Sequence, residues 1–237
     1  LPRRGGGGGD GQGLHAAQAQ PGEGRDGLRA GRFGVAGVAP GPDRTLLIAC
    51  GALARETLAV IRANGIGDRV AVTCLPAILH NRPERIADRL RQRIRTARAM
   101  GWSRIRIAYA ECGSGGAIDR VLAEEGAERI GGPHCYAFFA GAADFDRLME
   151  EEPGSFFLTD YLVRHFQALV VEGMGLDRHP ELLPMIFGNY RRVIYLAQTE
   201  DPALQAQAKA AAERLGLAYE YRHTGYGEFA QFVADSA

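Results

Sequence analysis

The chain has 237 residues, is 46% hydrophobic and balances 28 basic against 28 acidic side chains. No apolar run approaches the ~20 residues that cross a bilayer, and the even charge leaves no global field to attract nucleic acid or anionic lipid. Composition therefore argues against a membrane-spanning or nucleic-acid-binding protein and for a soluble globular one.

The basic side is almost entirely arginine, with Lys209 the only lysine. Together with abundant Ala and Gly this reads as the codon bias of a GC-rich genome, since no basic run is interleaved with aromatics. The cysteine count of 4 is too low for a disulfide-dense secreted scaffold. With no charged-then-apolar leader in view, a reducing cytoplasm is the expected setting, where thiols stay free for metal or chemistry.

Residues 1–43 are dominated by Gly, Gln, Ala and Pro and include the run Gly5 to Gly9. Such a segment buries too little to offset its ordering entropy and is expected to be disordered. Residues 44–237 read as the α/β domain. A short buried strand is expected at Thr45 to Ala49, then Cys50-Gly51 and a helix from Leu53 to Asn64. A second strand, Val70 to Cys74, leads through Pro76, His80 and Pro83 to a long helix over Glu84 to Met100. Arg104 to Ala108 forms a third strand, and Gly113 to Gly116 opens a helix over Ala117 to Glu125. A brief strand, Glu128 to Ile130, runs into Gly131-Gly132-Pro133-His134-Cys135.

Beyond Phe139 the pattern turns mainly helical: Ala142 to Glu151, Thr159 to Val171 and Pro180 to Tyr190. Two more strands, Val193 to Ala197 and Ala218 to Tyr221, flank a helix over Pro202 to Leu215, and Glu228 to Asp235 closes the chain. Strands alternating with helices imply a parallel sheet covered on both faces. The expected fold is a Rossmann-like α/β body with a helical insertion, or two lobes around a cleft.

Cys50, Cys112 and Cys135 each fall where an apolar run gives way to small or polar residues, the usual end of a buried strand. Open α/β sheets bind ligands at the carboxyl ends of their strands. Cys50-Gly51 and Cys112-Gly113 each precede a helix, whose N-terminal dipole favours thiolate. No Cys-x-x-Cys is present, so a zinc knuckle is excluded and a site has to be assembled from separated loops. Three thiolates with His80 as a fourth ligand fit zinc, and three alone fit an iron–sulfur cluster with one open iron. His134 is a weaker candidate ligand, and Cys74 reads as core. Gly113, Ser114, Gly115 and Gly116 offer backbone N–H groups to a cofactor phosphate or other anion, without the lysine of a phosphate loop or a complete dinucleotide fingerprint. Glu111 and Asp160-Tyr161 can serve as acid, base or orienting groups.

Three readings stay open on these residues. One is a metal-binding protein. The second is a thiol-dependent enzyme with Cys112 as nucleophile on a small substrate, the glycine turn serving its oxyanion. The third is a non-catalytic module for a small anion.

The chain also resembles a prokaryotic family, domain of unknown function 1638. The resemblance rests on Ala49-Cys50-Gly51, Leu75-Pro76, Leu79-His80-Asn81, Pro83-Glu84, Tyr109 and Cys112-Gly113. It extends over Pro133-His134-Cys135 and Pro153-Gly154-Ser155-Phe156-Phe157-Leu158-Thr159. The chain departs from the family pattern at Ala110, where glycine is expected, and at His134, where an acidic residue is expected. The resemblance implies a companion of corrinoid-dependent methyltransferases for methylamines and betaines, so a metal- or cofactor-handling accessory role in one-carbon methyl transfer.

Overall fold

The structure is a computed structural model in which residues 35–237 are described. The glycine-rich head lies outside them up to residue 34. Its last part is already tied to the fold, because Ala36 and Val72 exchange two backbone hydrogen bonds of 2.8 Å. Ordered chain thus begins before Thr45.

The first lobe is a Rossmann-like unit. In chain order it holds β1 (Thr45–Cys50), α1 (Ala54–Ala63), β2 (Val70–Leu75), α2 (Ile86–Ala99), β3 (Arg104–Ala108), α3 (Ala117–Glu125) and β4 (Glu128–Arg129). The strands run parallel in the order β2-β1-β3-β4. Every residue of β1 is buried, as a central strand covered on both faces requires. The order reverses direction between β1 and β3, which makes the crevice beyond their carboxyl ends a topological switch point. The arginines of α2 reach across to α3: Arg95 meets Glu125 at 2.8 Å, Arg91 pairs with Glu124, and Arg98 donates to the Glu125 carbonyl at 2.7 Å.

Two short helices, α4 (Cys135–Ala140) and α5 (Ala142–Glu151), lead to the second lobe. This contains β5 (Ser155–Thr159), α6 (Asp160–Arg164), α7 (Leu183–Phe187), β6 (Arg192–Ala197), α8 (Pro202–Leu215) and β7 (Ala218–His223). Its sheet is also parallel, in the order β5-β6-β7. Side chains alternate across it, as the pleat dictates. Phe157, Ile194 and Leu196 pack with Phe145 and Leu148 on one face. Leu158, Val193, Tyr195 and Ala197 pack with Leu204 and Ala208 on the other.

The expected helical insertion is therefore a second α/β lobe. The helix expected over Thr159 to Val171 is corrected to a strand end, a five-residue helix and a π-helical segment, Gln167–Glu172. The Pro180 to Tyr190 helix shrinks to a 3-10 turn followed by α7.

The chain finally crosses back. Helix α9 (Gly227–Ala234) follows β7 yet packs on α1 and α4, burying Phe229 and Val233 in the core of the first lobe. Strand β3 holds it there: the Arg106 guanidinium lies 4.1 Å over the Phe232 ring and donates to the Phe232 carbonyl at 3.1 Å. Gly227 starts this helix with φ +49, and a Cβ there would sit 2.4 Å and 2.5 Å from the carbonyl oxygens of Phe138 and Phe139. Both constraints demand glycine.

Replacing Gly227 by alanine is expected to cost at least about 2 kcal/mol in urea unfolding, because left-handed strain and carbonyl overlap add. Gly216 of the α8 C-cap, at φ +71 with open space around it, is the control, and alanine there costs about 1 kcal/mol. Equal losses would mean that close docking of α9 is not what Gly227 secures.

Candidate functional site

The switch point gathers thiols. Cys50 is the last residue of β1, Cys112 lies four residues beyond β3, and Cys135 is the first residue of α4 after β4. Cys50, Cys112 and Cys135 stand near enough that each thiolate charge would disfavour the next. Cys74, read as core from sequence, lies beside the cluster, since the charge of Cys50 also opposes its ionisation. All four are free thiols. Tyr109, directly after β3, closes the floor; its buried hydroxyl lies by Cys50 but makes no hydrogen bond of good geometry.

The two Cys-Gly settings that look alike in sequence differ in backbone. Cys50 is extended at φ −63. Cys112 has φ 54 and is the non-glycine residue with positive φ among the described residues. A left-handed side-chain-bearing residue costs about 1–2 kcal/mol, and such strain concentrates at functional sites. Hydrogen bonds of 3.0 Å from the Glu111 and Cys112 amides to the Gly132 and Pro133 carbonyls hold the conformation. Gly51 is needed for a different reason: a Cβ would meet the Leu75 carbonyl oxygen at 3.0 Å and the Ala77 amide at 3.1 Å.

Burial governs the chemistry of these thiols. It raises the pKa of Cys50, pushes Cys74 and Cys112 up to about 12, and lifts Cys135 well above its ordinary value. The helix-dipole activation expected from sequence is absent at Cys112, because α3 begins only at Ala117 and a dipole acts within about one turn. The thiols are neutral at pH 7 unless a cation joins them.

The glycine turn is also corrected. Glu111 reaches back into it, accepting from the Gly113 amide at 2.8 Å, the Gly116 amide at 2.9 Å and the Ser114 hydroxyl at 2.6 Å. Those bonds lower the Glu111 pKa, the Ser114 one most. The Gly113 and Gly116 amides expected to cradle a phosphate hold a carboxylate of the chain itself, and the Ser114 amide donates to the Glu111 main-chain carbonyl at 3.1 Å. His80, in the 3-10 turn Ala77–Asn81, is exposed by surface area, yet enough protein surrounds its ring to lower the pKa, with the charge of His134 adding to this. Both imidazoles are held neutral, which is the form that ligates metal. Among the described residues, no three His, Cys, Asp or Glu side chains already converge as a ligand set.

Sequence reasoning missed Glu56. It sits in the first turn of α1, where acidic residues are routine, so nothing marked it. In the fold it is 4% exposed, its Oε2 has no hydrogen-bond partner, and burial raises its pKa. Its charge is felt by Cys50 and Cys135 on one side and by the hydroxyl of Tyr226 on the other.

These features define a two-lobed α/β protein with four free thiols near the switch point of its first sheet. The chain belongs to the family described as "Protein of unknown function (DUF1638)", whose model matches residues 74–233. No curated protein matches the chain significantly. Among solved structures, ornithine carbamoyltransferase from Pyrococcus furiosus aligns at 14% identity and a TM-score of 0.24. That alignment covers 76% of this chain and 54% of the other, so the chain spans about half the length of that protein.

Two outcomes follow from the thiol environment. Cys112→Gly is expected to be more stable than Cys112→Ala by about 1 kcal/mol in denaturant unfolding, because glycine relieves the left-handed backbone. The thiols are neutral in the fold at pH values where they ionise when unfolded. Their contribution is therefore complete below the unfolded pKa and is lost as pH rises towards about 12. Stability of the metal-free protein should fall on going from about pH 8 to pH 10, and Cys50→Ala, Cys112→Ala and Cys135→Ala should each flatten that fall.

Proposed function

We propose that the crevice binds a thiophilic metal, zinc or an iron–sulfur cluster, through Cys50, Cys112 and Cys135, with His80 as fourth ligand. The observation that supports this best is that Cys50, Cys112 and Cys135 lie near enough at the switch point for their charges to oppose one another's ionisation. In so little water a neutral thiol is a poor nucleophile, whereas a soft divalent cation converts each thiol to a bound thiolate and offsets its burial. The strained Cys112 backbone fits a residue kept for its sulfur. Since the ligands do not converge beforehand, binding includes a local closure of the loops at 77–81 and 109–116.

Three thiolates and one open position would supply Lewis-acid or electron-transfer chemistry when metal is bound. The chain's own residues would hold it in place: Tyr109 beside Cys50, Glu111 fixing the turn after Cys112, and Glu56 as a buried carboxyl near Cys50 and Cys135. We further propose that the protein works in a reducing cytoplasm, as an accessory protein or enzyme of corrinoid-linked one-carbon methyl transfer, on the family resemblance set out above. No helix of the described residues is long and apolar enough to cross a membrane. The nucleophile reading for Cys112 loses ground to its pKa of about 12.

The test is elemental and sulfide analysis of protein purified anaerobically, then of Cys50→Ser, Cys112→Ser and Cys135→Ser. Close to one metal centre per chain, lost in each variant and matched by a lower melting temperature, is expected. Wild-type protein that stays metal-free after reconstitution with zinc, and with iron and sulfide, would overturn the proposal.

A further inference from the structure

A cavity of about 410 Å³ opens between the lobes, away from the glycine turn. Its walls come from α1, from α6, from the end of β6 and from Tyr226 at the start of α9. The volume falls within the range of small-molecule sites.

Its floor is built and rigid. Asp160 is 1% exposed and accepts from the Tyr195 hydroxyl at 2.7 Å, the Gln198 amide at 3.0 Å and the Thr199 hydroxyl at 2.5 Å. Gln198 returns a bond through its side-chain oxygen to the Asp160 amide at 2.8 Å. Asp160 is thereby committed to the protein and works as a positioning residue. It holds Arg164 at 3.6 Å, a single contact for a guanidinium with five N–H groups.

The lining is cationic, since Arg55, Arg62 and Arg164 face two carboxyls. One of these, Asp160, is already bonded, and the other, Glu56, is biased towards its neutral form by burial. Glu56 also presents the unpartnered oxygen. A buried acceptor without a donor costs about 1–3 kcal/mol in general terms, and a ligand's hydroxyl or amino group would satisfy it.

We propose that this cavity binds a small organic anion, with its charged group on Arg62 and Arg164 and a hydrogen-bond donor of the ligand on Glu56. The site is separate from the thiol cluster, although Glu56 borders both, and the proposal does not depend on metal. It accounts for three features together: the cationic walls, the rigid Asp160 anchor beneath Arg164 and the orphaned Glu56 oxygen.

Calorimetric titration of the full chain with L-malate, succinate and glycerol 3-phosphate tests it. Malate carries carboxylates and a hydroxyl, succinate lacks the hydroxyl, and glycerol 3-phosphate replaces carboxylate by phosphate. The expected result is saturable binding of malate or glycerol phosphate, which also identifies the preferred anionic group. Binding should weaken at least about tenfold in Arg62→Glu and in Arg164→Gln, the scale of a lost charge-assisted hydrogen bond. If malate is the ligand it should exceed succinate by about tenfold in wild type and lose that advantage in Glu56→Ala. That variant removes an unsatisfied acceptor and should melt no lower than wild type. Chelator-treated, metal-free protein should bind the anion with unchanged affinity, so failure of the metal proposal and failure of this one are distinguishable. Absence of saturable binding by all three probes, or binding indifferent to both arginine variants, would overturn the inference.

Discussion

The return of α9 to the first lobe is the constraint on which the rest of the molecule depends. Two parallel sheets, each with its own core, would otherwise be joined through α4, α5 and a small contact of α6 with the turn Gly51–Leu53. By burying Phe229 and Val233 beside Phe138 and Phe139, the last helix ties chain that has just left β7 to the first sheet. The Arg106 stack on Phe232 fixes its far end to β3. Tyr226, at the start of that helix, consequently lines the interlobe cavity together with α1 and α6. The cavity is thus a product of chain crossing as much as of sheet geometry.

Within that frame, two environments meet at Glu56. Towards the first sheet lie thiols whose protons are held by burial, and towards the second lie arginines anchored by Asp160. Low dielectric gives both their character, because it penalises isolated charge and rewards pairing. A cation suits the thiol side, an anion suits the arginine side, and a carboxyl of raised pKa separates them.

Much of this was legible in the sequence. Strand β3 and helices α3, α5 and α8 appear at the residues expected, because their apolar periodicity is flanked by Gly, Pro or Asp. Of the three cysteines expected at strand ends, Cys50 does end β1, whereas Cys112 lies four residues past β3 and Cys135 opens α4. Strand β5 was hidden, since Ser155-Phe156-Phe157-Leu158-Thr159 runs straight into a helix with no turn residue between. Thr159 both ends the strand and caps α6, accepting from the Leu162 amide at 3.3 Å. Long-range facts were beyond reach: the strand order of the second sheet, the crossing of α9 and the burial of Glu56. Sequence also misjudged the electrostatics of Cys112, because desolvation arises from residues distant in the chain, whereas a dipole argument uses only neighbours.

The turn after Cys112 has a chemical consequence of its own. Its Gly113 and Gly116 amides donate to Glu111, a carboxylate tethered two to five residues away. A tethered group acts at an effective concentration in the millimolar range even for flexible links. An anion drawn to these amides would first have to displace the Glu111 carboxylate, so the loop that most resembles a phosphate cradle is already filled by its own chain.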